Sequence, residues 1–186
     1  MTRQTHPKIT VPARSQSKAS IRNRHFHFAA PRTTDGADIY RLVRDGGTLE
    51  LNTAYAYLLL GMHFSETSVV VRNPSTLCGF VWAYILPERN DTLFVWQIGV
   101  TPASRGAGLA SEMLREALRR PACRDVTHLE ATVTPSNQAS MALFRGLGEK
   151  LGANVAIEAG LETTLFPETS HEAEMLIRVG PFDPIT

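Results

Sequence analysis

The sequence predicts an α/β (α+β) domain with one central sheet and flanking helices, and three observations carry that expectation. After Phe26 the apolar residues switch repeatedly between a helical period near 3.6 and the two-residue period of a strand. Residues 92–100 (TLFVWQIGV) form the most strongly β-like run, rich in branched and aromatic side chains, and lead at once into a glycine-punctuated helix start at 104–110. A chain of 186 residues, 43% hydrophobic and 20% charged, is also sized for one ordinary core and not for two.

Each element has a local signal. Residues 27–32 read as a short strand ending at Pro31, followed by a helix that Thr34 or Asp35 caps, that runs through Ile39, Tyr40, Leu42 and Val43, and that Gly46 and Gly47 stop. A second helix is expected over 52–63, with Tyr55, Leu58, Leu59 and Met62 at spacings of three and four. Strands at 67–72 and 77–86 flank Asn73, Pro74 and Ser75, which is hairpin-turn chemistry. The run at 92–100 becomes the central strand, and Leu109, Met113, Leu114, Ala117 and Leu118 lay one helical face on the sheet after it. Residues 126–134 form another strand, with Glu130, Thr132 and Thr134 on one face and Leu129, Ala131 and Val133 on the other. A helix at 137–151 and a last strand at 175–179 complete the expected domain, residues 26–186.

The formal charge of +1 hides an asymmetry. Residues 1–25 hold six Lys or Arg and no Asp or Glu, whereas the remaining 161 residues carry 13 basic against 18 acidic side chains. An acidic body of this kind argues against nucleic-acid binding, which needs a surplus of cations against phosphate, and it favours a neutral or cationic partner. The basic segment is expected to be a disordered tail; its acid-poor composition also resembles a transit sequence, but it lacks the apolar stretch of a signal peptide. The longest apolar run, near 54–62, falls short of the roughly 20 residues of a membrane span, so a cytoplasmic protein without a membrane partner is expected. Cys78 and Cys123 show neither a CxxC nor a His-spaced pattern, so neither a disulfide scaffold nor a metal site is expected.

Chemistry concentrates where the strand at 92–100 meets the helix start. Glycines there allow close backbone approach to a bulky anion, and the exposed N–H groups and helix dipole stabilise phosphate charge. A P-loop would need a Lys-Ser/Thr pair after its last glycine, but Leu109 and Ala110 follow Gly108. A dinucleotide fingerprint is expected near the first strand, and this segment lies past the middle of the chain.

The run Arg105-Gly106-Ala107-Gly108-Leu109-Ala110 resembles the Gln/Arg-x-x-Gly-x-Gly/Ala pyrophosphate motif of the GCN5-related N-acetyltransferase (GNAT) superfamily, with Val100-Thr101-Pro102 before it and Asn137 and Leu143 downstream. The resemblance implies the GNAT fold, a central mixed, mostly antiparallel sheet whose splayed strands bind acetyl-CoA. It implies that backbone amides of 105–110 hold the pyrophosphate, that Ile98, Gly99 and Val100 line the pantetheine with one N–H polarising the thioester carbonyl, and that Asn137 lies near the cofactor arm. A narrower resemblance spans 26–181. Asp35-Gly36, Leu49-Glu50-Leu51-Asn52 with Tyr55, Tyr57 and Leu58, the run at 93–97, Leu129-Glu130 with the run at 132–135, and His171-Glu172 with Glu174 look like the L-2,4-diaminobutyrate acetyltransferases of ectoine synthesis. That implies acetyl transfer to the γ-amine of the diamino acid, with no metal. Superfamily members often dimerise, so a homodimer is expected.

The chemistry needs a neutral amine, a stabilised oxyanion and a proton for the departing thiolate. An alkyl ammonium has a pKa of about 10, so a carboxylate should draw its proton away. Glu130 is the first candidate and Glu174 the second; a plain strand glutamate is the other reading of Glu130. Glu50 and Asn52 either meet a cation or simply favour a helix start. His171 and Glu174 lie three apart, hence on opposite faces of an extended strand unless a bend precedes Met175. Trp96 offers a π face to an ammonium or is core; Tyr55 and Thr132 join the expected substrate set. Arg41, Arg72 and Arg178 are the candidates for the substrate carboxylate. Phe144 stands where many superfamily members have a proton-donating tyrosine, which leaves no protein general acid. The other readings are acetylation of a different small amine or a protein N-terminus, and a non-catalytic coenzyme A sensor.

Overall fold

The structure, a computed structural model, describes residues 26–167 and 171–185. In chain order they form β1 (His27–Ala29), α1 (Gly36–Gly46), α2 (Ala54–His63), β2 (Val69–Arg72), β3 (Leu77–Leu86), β4 (Arg89–Val100), α3 (Leu109–Leu118), β5 (His128–Val133), α4 (Gln138–Leu151), β6 (Val155–Leu161) and β7 (Glu174–Val179). The strands make one sheet in the order β1-β2-β3-β4-β5-β7-β6. It is mixed and mostly antiparallel, as expected, with the β4–β5 pair parallel. The expected basic tail at 1–25 lies outside the described residues.

Local chemistry sets most of the element ends. Asp35 closes the turn before α1, its Oδ2 accepting from the Arg32 N–H at 2.8 Å, and Gly47 ends that helix in the left-handed region at φ 59°. Thr53 caps α2, its hydroxyl accepting from the Ala56 N–H at 3.3 Å. The Asn73 side chain accepts from the Ser75 and Thr76 N–H groups and so builds the β2–β3 turn. Two expectations need correction. The central strand starts at Arg89 instead of Thr92, because a tight turn at Pro87 and Glu88 brings Arg89 opposite Leu86. β6 was absent from the sequence reading; its alanines, Gly160 and Glu158 are poor strand formers, and it is held by its ladder to β7.

Apolar faces divide between two layers. Leu109, Met113, Leu114 and Leu118 of α3 join Phe144 and Leu147 of α4 in a core against one side of the sheet. On the other side Ile39 and Val43 of α1 and Tyr57 and Leu60 of α2 pack on Phe80 and Trp82 of β3. Two departures from regular pairing then shape the site. In the β3–β4 ladder Trp82 faces Gln97 but Ala83 faces Val95, so Trp96 is an extra residue and β4 bulges. Both Trp96 and Gln97 thereby turn toward the α1–α2 side. β4 and β5 pair only from Thr92–Phe94 to His128–Glu130, and beyond that point the strands separate.

Candidate active site

The splay opens into two cavities, of about 610 Å³ and 490 Å³, which share Thr48, Leu49 and Asn137 as common walls. The first follows the end of β4 and the start of α3. Of the residues expected at the cofactor, Ile98, Gly99, Val100, Arg105, Gly106, Gly108, Leu109, Ala110 and Asn137 line it. The Ala107 side chain packs instead on the core.

This cavity fits a phosphorylated ligand. Gly106 and Gly108 have φ of 76° and 77°, which a β-carbon would strain, and a β-carbon at Gly106 would point into open space. Gly108 is the N-cap of α3 and brings no side-chain acceptor, and the first amide returned to the helix is that of Glu112, to Gly108 O at 3.1 Å. The amides before it remain as donors with the positive end of the helix dipole behind them. Arg105 crosses the mouth toward Val100 O and Thr48 Oγ1, both at 3.4 Å.

The second cavity collects most of the expected substrate residues. Glu50, Asn52, Trp96, Thr132, His171 and Glu174 all line it. β7 begins only at Glu174, and the irregular stretch before it supplies the bend that brings His171 to the same side. His171 Nε2 stands 3.9 Å from Glu174 Oε1, its Nδ1 meets Glu172 O at 2.6 Å, and its ring stacks on Phe166 at 3.7 Å. Trp96 is half-exposed and lies flat on Trp82, with centroids 4.5 Å apart and planes 18° off parallel.

The structure corrects three expectations. Glu130 is only 2% exposed and lines neither cavity. Its two oxygens take two bonds of 2.7 Å from Arg89, and Arg178 adds another at 3.0 Å. The guanidinium of Arg89 is held above its usual pKa by those bonds. A carboxylate so engaged is an ion-pair anchor between β4, β5 and β7, not a free base. Tyr55 projects from α2 at 67% exposure, outside both cavities. Two residues on, about 200° around the helix, Tyr57 points inward. The three arginines proposed for the substrate carboxylate are all paired elsewhere: Arg41 with Asp38, Arg72 with Asp35, and Arg178 with Glu130. Among the described residues no lysine or arginine lines the second cavity, so a carboxylate there would meet neutral donors such as Asn52, Thr132 and Thr134.

Sequence reasoning missed Gln97, Tyr84, Phe94 and Leu161. Tyr84 and Phe94 form an aromatic wall beside Trp96. The two-residue spacing of Phe94 and Trp96 was the available signal. Gln97, 7% exposed in the otherwise apolar run at 93–100, donates from Nε2 to Glu50 O at 2.6 Å and accepts from the Tyr57 hydroxyl at 3.2 Å. Tyr57 in turn accepts from the Asn52 N–H at 3.2 Å. Asn137 caps α4, its Oδ1 accepting from the Ser140 N–H at 3.1 Å, which leaves its amine to donate at the junction of the cavities. Phe144 is buried in the core and lines neither cavity. Among the described residues no group of three or more His, Cys, Asp or Glu is arranged to hold a metal ion.

Comparison with known proteins places this geometry. Residues 37–148 match the acetyltransferase (GNAT) family model. The L-2,4-diaminobutyric acid acetyltransferase of Marinococcus halophilus is 46% identical over 155 residues, 83% of this chain and 90% of the relative. The protein of the same name from Bordetella parapertussis is 44% identical over 97% of this chain and 95% of its own length. Among solved structures, the diaminobutyrate acetyltransferase EctA from Paenibacillus lautus, in complex with its substrate L-2,4-diaminobutyric acid and coenzyme A, superposes with a TM-score of 0.83. It is 36% identical, over 88% of this chain and 100% of that one.

Proposed function

The chain belongs to the acetyltransferase (GNAT) family and, within it, to the L-2,4-diaminobutyric acid acetyltransferases, and from that premise we propose how its two joined cavities acetylate the γ-amine of L-2,4-diaminobutyrate. It is an acyltransferase that uses acetyl-CoA as co-substrate. The product is N4-acetyl-L-2,4-diaminobutyrate, which a separate cyclising enzyme converts to the compatible solute ectoine. The observation that carries the reading is the junction at Thr48, Leu49 and Asn137, where a cavity that fits phosphate meets one lined by two carboxylates and, among the described residues, by no lysine or arginine.

Acetyl-CoA, when bound, supplies an acyl group activated as a thioester. The amides of 106–111 hold the pyrophosphate, and the separated end of β4 offers its backbone to the pantetheine. A β4 N–H at the splay and the Asn137 amine are placed to polarise the carbonyl oxygen. Diaminobutyrate carries two ammonium groups and one carboxylate near neutral pH, which suits Glu50 and Glu174 facing one pocket. Glu174 accepts the proton that frees the γ-amine, with His171 beside it, while the face of Trp96 attracts the ammonium. The leaving thiol has a pKa near 8.5, so it departs as thiolate or takes a proton from water or from the ammonium product. Residues 26–186 constitute the acetyltransferase domain, with the basic tail appended. The exposed apolar side chains Leu51, Tyr55, Leu58 and Met62 support a homodimer as the working assembly. The enzyme works in the cytoplasm, with neither nucleic acid nor membrane as partner.

Thiol release from acetyl-CoA with a panel of amines tests the reading. Diaminobutyrate should exceed ornithine and spermidine in kcat/KM by at least about 100-fold, as expected where a site's polar groups match one substrate. Equal rates across the panel would refute the substrate assignment.

A further inference from the structure

The cation Lys150, near the end of α4, is paired with no carboxylate among the described residues; its Nζ donates to Ser111 Oγ at 2.7 Å. Ser111 belongs to the first turn of α3 and lines the cofactor cavity next to Ala110. Lys150 follows Leu143, another lining residue, by seven positions, close to two helical turns, and so projects from the same side of α4. Between them Gly146 adds no side chain, and a β-carbon there would meet nothing within 4 Å. The ammonium therefore stands at the rim of the cofactor cavity, beyond the pyrophosphate cradle on the side away from the strand splay.

Coenzyme A has a chemical group for that position. With its pantetheine in the splay and its pyrophosphate over 106–111, the adenosine with its 3′-phosphate continues past the start of α3. Arg105, the one cation among the described residues that lines this cavity, is spent across its mouth on Val100 O and Thr48. Resting on acetyl-CoA as co-substrate, we propose that Lys150 is a specificity-determining residue whose ammonium exchanges Ser111 for the 3′-phosphate and selects coenzyme A over 3′-dephospho-coenzyme A.

Steady-state kinetics with acetyl-CoA and acetyl-3′-dephospho-CoA decide it. The wild type should favour the phosphorylated form, and Lys150→Gln should raise the KM for acetyl-CoA by about five-fold, as expected for a solvent-facing ion pair, while moving the dephospho KM by less than about two-fold. Lys150→Arg should keep most of the preference, and raising the salt to about 0.5 M should erode it in the wild type. A wild type without preference, or a Lys150→Gln variant that raises both KM values equally, would overturn the assignment while leaving acetyl-CoA as co-substrate intact. No turnover with either thioester would overturn the co-substrate reading, and this proposal with it.

Discussion

Gln97 Nε2 donates to the carbonyl of Glu50 at 2.6 Å and so ties the bulged central strand to the loop carrying Glu50 and Asn52. Tyr57 doubles the tie, bonded to Gln97 Oε1 on one side and to the Asn52 N–H on the other. The loop lines both cavities, so its position sets how the two cavities meet.

Gln97→Leu removes the donor and leaves the Glu50 carbonyl and the Tyr57 hydroxyl short of partners in a buried setting. A stability loss of about 1–3 kcal/mol is expected in chemical denaturation. The KM for diaminobutyrate should rise by about ten-fold and that for acetyl-CoA by much less, because Glu50 and Asn52 line only the second cavity, the one proposed to hold diaminobutyrate. Equal increases would show a general loosening instead of a positioning role.

Glu174→Gln keeps the shape and removes the proposed proton acceptor. General-base removal costs about 10² to 10⁴ in rate, so kcat/KM at pH 7.5 should fall by at least about 100-fold. The deficit should shrink as pH rises toward the ammonium pKa of about 10, since the neutral amine then forms without help. A pH-independent loss of less than about three-fold would remove Glu174 from the chemistry.

Glu130→Ala should act on stability. It strands Arg89 and Arg178, which are 42% and 37% exposed, so the penalty should be about 2 kcal/mol, below that of a fully buried pair broken on one side. The folded variant should retain kcat within about ten-fold. A loss of 100-fold with unchanged stability would return Glu130 to the role first expected of it.

Much of this site was legible in the sequence because short-range rules govern it. The glycines at 106 and 108 announce an anion cradle by residue type alone, and Trp96, Thr132 and Asn52 sit near recognisable strand or helix ends. What escaped depends on partners far along the chain. Glu130 looks like a base until Arg89, 41 positions away, and Arg178, 48 away, are seen to hold it. Tyr55 and Tyr57 differ only in helical phase, which is set by packing on Phe80 and Trp82. Gln97 enters the site through a bulge that strict alternation would not predict. Leu161 belongs to a strand formed by its pairing with β7.

Burial pushes the Cys123 thiol from its usual 9.0 up to about 11, opposed in part by nearby Arg120. Protonation is favoured in the fold, so the stability this thiol contributes is complete below pH 9 and is lost as pH rises toward 11. At pH 8 about one thiol in a thousand is then ionised, and Cys78 is buried as well. Neither cysteine should react with a thiol reagent within minutes at pH 8, and both should react on unfolding. Rapid labelling of the native protein would contradict the burial.

Gly108→Val places a branched side chain at φ 77° over the phosphate cradle. The KM for acetyl-CoA should rise by about ten-fold or more, since the left-handed conformation costs about 1–2 kcal/mol and the side chain blocks close approach. The diaminobutyrate KM, measured at saturating acetyl-CoA, should change by less than about two-fold.

A crystal structure with coenzyme A and diaminobutyrate bound together is the most direct measurement of whether the two cavities form one reaction chamber. The expected result has the pyrophosphate on the amides of 106–111 and the γ-nitrogen within about 4 Å of the coenzyme sulfur, beside Asn137. The Glu174 carboxylate should lie within hydrogen-bond reach of that nitrogen. Diaminobutyrate bound outside the second cavity, or turned so that its carboxylate faces Glu50 and Glu174, would contradict it.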